Sequence, residues 1–497
     1  MSRKQIRLFK GFWLLPMCVA FLYTAETHAA AYVKWCAKWP SIFTDAGGSN
    51  PDREDIYYTT SQVDRSARYS EVGVYEPIGS SERLVATKHL IHENGGRYCT
   101  SSITISSPGM YRFKQRTRLR RSNREITIAT DYTTFSFPTP QTFTFEIDIP
   151  WTTGTHIIDA PITTPTKYTS MAAVATRLME LGPTLDWPDD PFQGIIVKMN
   201  PDRDDSTYGC PNDQYMGHFY FYPNPTAGGY GTCIRSSTAG VKKFVAGHEL
   251  GHVIAHMEEP GQSIRGLLPS RYSADCVYGA SDTPNCPGLF TPDPGPCRYS
   301  GITTRGHQMQ SREYVQTAIG ESFAHFTASV LFNNRETGAT FNHRKGLWVG
   351  DESGSWENHS HLLHWDNRDP QQWLVNYCEP PSYWPKGFGT ERDWAPFFWQ
   401  IWAHGTETTR FDVTEIIDVF AGTNPTYKCC TDQLVPGSTT CRDPDIVGGK
   451  RECYVNEELF KMGRFWDDLV ATMAGQGHST LKRDFFTDMG SANGLNY

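Results

Sequence analysis

Much about this 497-residue chain follows from what it has little of. Basic charge is not in excess: 46 Lys and Arg against 54 Asp and Glu leave a net charge of −8. The electrostatic footprint of a nucleic-acid binder is therefore missing, and no nucleic acid is expected as a partner. Past the N-terminus no stretch approaches the roughly 18 uninterrupted apolar residues of a spanning helix, so no stable membrane span is expected. Paired Cys-x-x-Cys knuckles are absent, because Cys429-Cys430 and the wide spacings elsewhere do not form them. That argues against cysteines as metal ligands. No internal repeat is visible, which speaks against a repeat architecture.

What is present begins at the N-terminus. Arg3, Lys4, Arg7 and Lys10 form a basic segment, Gly11 to Thr24 a short apolar run, and Ala29 to Ala31 offer small residues for cleavage. Residues 1–29 read as a signal peptide, and the mature product is expected to be secreted, either extracellular or periplasmic. Cleavage would remove Cys18 and leave twelve of the thirteen cysteines. An even count in an exported chain suggests a disulfide framework. Cys36 and Cys99 are alone between residues 32 and 150, so a bridge between them is expected.

Patterning along the chain predicts an α+β protein. Residues 32–150 read as β-rich, with strands at Glu71–Tyr75, Ser102–Ile105 and Thr142–Ile149, and are expected to be a propeptide or binding module. Arg112, Lys114, Arg116, Arg118 and Arg120 fall on alternate positions and would share one face of a strand. That face is a solvated surface, an anion-binding surface or, at Arg118 to Arg121, a maturation cut. Pro150 and Pro161 to Pro165 mark a boundary, after which residues 151–497 form the second unit. Within it a helix is expected at 169–182 and strands at Gly194–Met199 and His218–Tyr222. Asp202, Asp204 and Asp205 could hold a structural Ca2+, although they lack a recognised ligand spacing. The Pro/Gly-rich segment 259–306, with Cys276, Cys286 and Cys297, reads as a disulfide-rich insertion. Further helices are expected at Ser311–Asn334, Trp394–His404, Val413–Phe420 and Leu459–Ala474.

The informative stretch is Gly247-His248-Glu249-Leu250-Gly251-His252. It carries H-E-x-x-H between an apolar Val241, Phe244, Val245 and an apolar Val253, Ile254, with Ser236 to Thr238 as capping candidates. Four residues of helix place His248 and His252 one above the other, where two neutral imidazoles can reach one zinc ion. Glu249 stands beside them, able to take a proton from water on the metal.

A catalytic zinc needs three protein ligands and an open position. The metzincin extension is absent, because its Gly and His positions are Ala255 and Glu258. A better continuation is the later run Tyr314-Val-Gln-Thr-Ala-Ile-Gly-Glu321-Ser-Phe323-Ala324-His325. There the chain resembles the gluzincin metallopeptidases, and its E-x-F-A run with a Tyr seven residues earlier is similar to the anthrax lethal factor group. The resemblance covers the two motif helices and the order of elements around them. It implies a zincin-like catalytic domain with Glu321 as the third zinc ligand and a protein or peptide substrate. The position four after Glu321, often acidic in gluzincins, is His325. On one continuous helix Tyr314, Ala318, Glu321 and His325 would share a face, which would let the Tyr314 hydroxyl serve a developing oxyanion.

These observations predict an exported zinc metallopeptidase with His248, His252 and Glu321 on the metal and Glu249 as general base. Two other classes remain in view. One is a disulfide-rich secreted binding protein with a non-catalytic zinc site. The other is a zinc hydrolase of a non-peptide amide or ester.

Overall fold

The computed structural model describes residues 30–43, 63–122, 124–129, 139–150, 154–181, 194–199, 217–222, 229–234, 241, 243–257, 313–332, 340–341, 363–364, 388–423 and 462–495. The expected signal peptide, the Asp202 to Asp205 loop and the insertion at 259–306 lie outside these residues, as do all cysteine side chains except Cys36 and Cys99.

The first part of the chain is all strand: β1 (Ala31–Ser41), β2 (Val63–Ser66), β3 (Ser70–Ile78), β4 (Ser81–His89), β5 (His92–Asn94), β6 (Arg97–Cys99), β7 (Ile103–Ile105), β8 (Gly109–Arg121), β9 (Arg124–Ala129), β10 (Thr142–Ile149) and β11 (Gly154–Asp159). Helix α1 (Lys167–Leu181) follows, then β12 (Ile195–Met199), β13 (Gly217–Tyr222), β14 (Gly229–Ile234) and α2 (Lys243–Met257). After these come β15 (Glu313–Tyr314), α3 (Val315–Phe332), β16 (Thr340–Phe341), β17 (Leu363–His364) and β18 (Phe388–Gly389). The last elements are α4 (Glu391–Ala403), α5 (Val413–Gly422), α6 (Met462–Gly475) and α7 (Thr480–Ala492). The chain combines two large sheets, most of whose strand pairs are antiparallel, with helices, so the fold class is α+β, as the patterning predicts. Among the described residues no helix is long and apolar enough to cross a membrane.

The strands make two large sheets. In the first, β11, β1, β6 and β5 lie side by side, with β2 and β7 also paired to β1. Cys36 stands opposite Cys99 in the β1–β6 pair, and the two form the expected disulfide. The second sheet runs β13-β14-β12-β9-β8-β3-β4, with β10 on β8. Trp35 of β1 stacks on Phe113 of β8 with ring centroids 4.8 Å apart, and its Nε1 donates to Gln115 Oε1 at 2.9 Å. The faces of the two sheets thus share one core.

The second sheet crosses the boundary expected at Pro150. β9 pairs in parallel with β12, setting Ile126 against Ile195 and Ile128 against Val197, all four fully buried. Strands on either side of residue 150 therefore belong to one hydrogen-bonded ladder. Local patterning marks prolines and turns but carries no record of which distant strands pair.

β8 alternates as expected. Tyr111, Phe113, Gln115, Thr117 and Leu119 point inward, and the basic residues point the other way. Those cations meet glutamates from neighbouring strands. Arg112 reaches Glu82 and Glu146 at 2.7 Å each, Lys114 reaches Glu82 at 2.5 Å, Arg116 pairs with Glu71, and Arg118 lies 3.3 Å from Glu125. Lys114 and Arg112 hold the Glu82 carboxyl below its usual range. The charges are cross-strand pairs on a ladder, which leaves little net positive charge for an anionic ligand.

α1 packs on β1 and β8, while α2 packs against β13, β14 and α3. α3 in turn packs on α4, which carries an aromatic core of Trp394, Phe397, Phe398 and Trp399, all fully buried. Several elements have no counterpart in the sequence reading, β14 and α7 among them. β14 is Gly229-Tyr-Gly231-Thr-Cys-Ile234, where two glycines weaken any strand signal. α7 closes the chain with Ser479 as its N-cap, the hydroxyl accepting from the Lys482 amide.

Candidate metal centre

α2 and α3 cross with almost no space between them. A Cβ on Gly251 would meet the Ala324 Cα at 2.7 Å, and one on Gly247 would meet the Ala328 Cα at 3.0 Å. Glycine costs a helix about 1 kcal/mol relative to Ala. Here two glycines spaced one turn apart open a seam into which the small residues of α3 fit. The apolar Leu250, Val253 and Ala255 of α2 and the Ala318, Phe323 and Phe326 of α3 bury the flanks.

That close crossing brings the motif side chains together. His248 Nε2 and His252 Nε2 stand 3.0 Å apart. Glu321 Oε2 lies 3.1 Å from the first and 3.3 Å from the second. The three residues are 7%, 4% and 6% exposed, so their polar atoms meet in a buried pocket. One hydrogen bond cannot serve three mutually adjacent atoms, whereas a cation at their centre can. His248, His252 and Glu321 are thus a cluster that could hold a metal ion. Glu249 follows His248 on the same helix and is also buried, at 8% exposure.

His325 sits behind this cluster. Its Nδ1 is 2.9 Å from His248 Nδ1, and its Nε2 is 2.6 Å from Glu391 Oε2. Glu391 is the first residue of α4 and fully buried. Sequence reasoning missed it, because the two residues of this contact are 66 positions apart and no local pattern links them. The only signal was its place in the first turn of a helix, after Thr390, whose hydroxyl donates to Asp393 Oδ2 at 2.9 Å.

Tyr314 is placed differently from expectation. α3 begins at Val315, not Ser311, and Tyr314 belongs to β15, paired with Phe388 of β18. The helical phase argued for Ala318, Glu321 and His325 therefore does not extend to Tyr314, whose side chain lies outside the described residues. The helix starts late because strand pairing with β18 claims the backbone of Glu313 and Tyr314. His256 lies in α2, with its side chain likewise outside the described residues.

No protein-family model, curated protein or solved structure matches the chain.

Proposed function

We propose that this chain is an exported zinc metallopeptidase of the gluzincin type, hydrolysing peptide bonds. The observation that carries the reading is the meeting of His248 Nε2, His252 Nε2 and Glu321 Oε2 within 3.3 Å of one another. A tetrahedral zinc with bonds of about 2.0–2.1 Å spaces its ligand atoms about 3.3 Å apart, so the donor triangle fits that ion closely. Two imidazoles and one carboxylate are also a donor set that zinc accepts with a fourth position open. Zinc bound there would polarise a scissile carbonyl and lower the pKa of a coordinated water towards about 7.

The chain's own residues supply the rest. Glu321 contributes a single negative charge, so the loaded site keeps a net positive charge. Glu249, one residue on from His248 and nearly buried, takes the proton of the attacking water and returns it to the leaving amine. Tyr314, next to the start of the helix that carries Glu321, is the proposed donor to the developing oxyanion. The order of elements supports a zincin-like domain: a mixed sheet, then the motif helix beneath β13 and β14, then helices α3 to α7. Among the described residues β13 ends the sheet and runs antiparallel to β14. An extended peptide would add to that edge through backbone hydrogen bonds.

The deciding experiment is metal analysis of the purified protein combined with casein hydrolysis, with and without a chelator. One zinc per chain, activity lost to chelator and regained with zinc, is expected. Hydrolysis that survives complete removal of metal would overturn the reading. Zinc without protein hydrolysis would point to a binding protein, and turnover of small esters alone to a non-peptide hydrolase.

A further inference from the structure

His248 makes contacts through both ring nitrogens. Nε2 faces His252 and Glu321, and Nδ1 lies 2.9 Å from His325 Nδ1. Between two imidazole nitrogens at that distance one donates and the other accepts. A neutral imidazole has a single N–H, so the direction of this one hydrogen bond decides what His248 presents at Nε2. If Nδ1 of His248 donates, Nε2 offers a lone pair. If it accepts, Nε2 carries a hydrogen and cannot bind a cation.

The next link sets the direction. His325 Nε2 is 2.6 Å from Glu391 Oε2, with both side chains fully buried. Imidazole holds a proton far more firmly than a carboxyl group does. Glu391 also opens α4, where the helix dipole favours negative charge. The proton of that contact therefore sits on His325 Nε2, and in the neutral imidazole this makes His325 Nδ1 the acceptor. His248 Nδ1–H must then be the donor, and its Nε2 lone pair faces the cluster.

We propose that His325 and Glu391 are positioning residues that fix the tautomer of His248 for metal binding, a proposal that rests on reading His248 as a ligand. The anion that orients the ligand stands one imidazole away from it, on a different helix. Its place is secured from α3 itself, since the Ser322 hydroxyl donates to the Glu391 carbonyl at 2.9 Å. The β15–β18 pair, Glu313 opposite Gly389, ties the starts of α3 and α4 together.

Glu391→Gln is the near-isosteric test. An amide there donates to His325 Nε2, which moves the His325 proton to Nδ1, reverses the contact with His248 and puts a hydrogen on the ligand nitrogen. Zinc affinity, read by competition with a chromophoric chelator, should fall about 10–100-fold. The melting temperature of the metal-free protein should stay near that of the parent. Adding His325→Asp to Glu391→Gln supplies a direct carboxylate acceptor to His248 Nδ1, and affinity should return to within a few-fold of the parent. Unchanged zinc affinity in Glu391→Gln would overturn the proposal, and so would an undiminished loss in the folded double variant. Should Glu391→Gln alone fail to fold, the double variant decides on the same criterion. The controls His248→Ala and His252→Ala keep the two readings apart. If they bind zinc as the parent does, the metal reading itself fails. If they lose zinc while Glu391→Gln keeps it, only the relay fails.

Discussion

Gly251 and Ala324 approach so closely that a methyl group on the glycine would lie 2.7 Å from the alanine Cα. Carbon atoms in good contact stand about 3.5–4.0 Å apart, so the helices would have to separate. His252 and Glu321 flank this contact, and their 3.3 Å separation depends on it. Gly251→Ala should therefore do the opposite of what the same change does in an isolated helix, where it stabilises by about 1 kcal/mol. The expected result is a loss of about 1–3 kcal/mol, as for other overpacked sites, together with reduced zinc content. Thermal unfolding of the metal-free protein and elemental analysis would measure both. A variant as stable and as zinc-rich as the parent would mean that the seam has slack.

Glu249 is proposed as a base rather than a ligand, which separates metal content from turnover. Glu249→Gln should keep its zinc while the rate of casein hydrolysis falls by about 10²–10⁴-fold. Parental activity in the zinc-loaded variant would remove Glu249 from the mechanism.

Glu321 and Tyr314 should differ in the same two measurements. Glu321→Ala removes one corner of the donor triangle and should release zinc. Tyr314→Phe should keep zinc and KM and lose about a hundredfold or more in kcat, the usual cost of deleting one oxyanion donor. Full turnover in Tyr314→Phe would transfer that role to another group.

The Cys36–Cys99 bridge closes a loop of sequence separation 63, in the first sheet rather than in the helices that carry the candidate metal cluster. A loop of that length predicts roughly 4 kcal/mol of stabilisation through the unfolded chain. The sheets share a core and the second sheet runs on to β14 beside α2. Cys36→Ser with Cys99→Ser should therefore lower the melting temperature of the whole protein in a single transition. A calorimetric trace in which residues before 150 melt apart from the rest would contradict this.

His89 lies opposite Glu71 in the β3–β4 pair, and burial holds its imidazole below the ordinary value against the opposing pull of the nearby Glu71. Because the folded value is depressed, the unfolded chain binds the proton more readily. The contribution of His89 to stability is therefore full above about pH 6.5 and is lost as pH falls below it. His89→Gln should flatten the acid side of a melting temperature against pH curve, compared with the parent under the same buffers. Parallel curves would show that other groups set that slope.

Two members of the candidate metal cluster were legible in the sequence because His248 and His252 sit one helical turn apart in a single motif. Glu321 was reachable only through the resemblance of its surrounding run. The contact of Glu391 with His325 was not legible, since it joins α3 and α4 across 66 positions. Gly247 and Gly251 stood in plain view within the motif, yet their meaning depends on Ala324 and Ala328 of another helix. The start of α3, expected at Ser311, was misread for a similar reason: strand pairing of Glu313 and Tyr314 with β18 overrode a helical pattern.

The parallel pairing of β9 with β12 has a consequence for inheritance and engineering. A gene fragment beginning at Pro150 would encode the motif helix and its partners, but the sheet above them would end at β12 with a bare row of backbone donors and acceptors. Such an edge invites pairing with other chains. The motif-bearing part is thus not a cassette that recombination could lift out at that proline and graft elsewhere. Any transplantable unit has to carry β8 and β9 with it, and with β8 the glutamates of β3 and β4 that neutralise its cations.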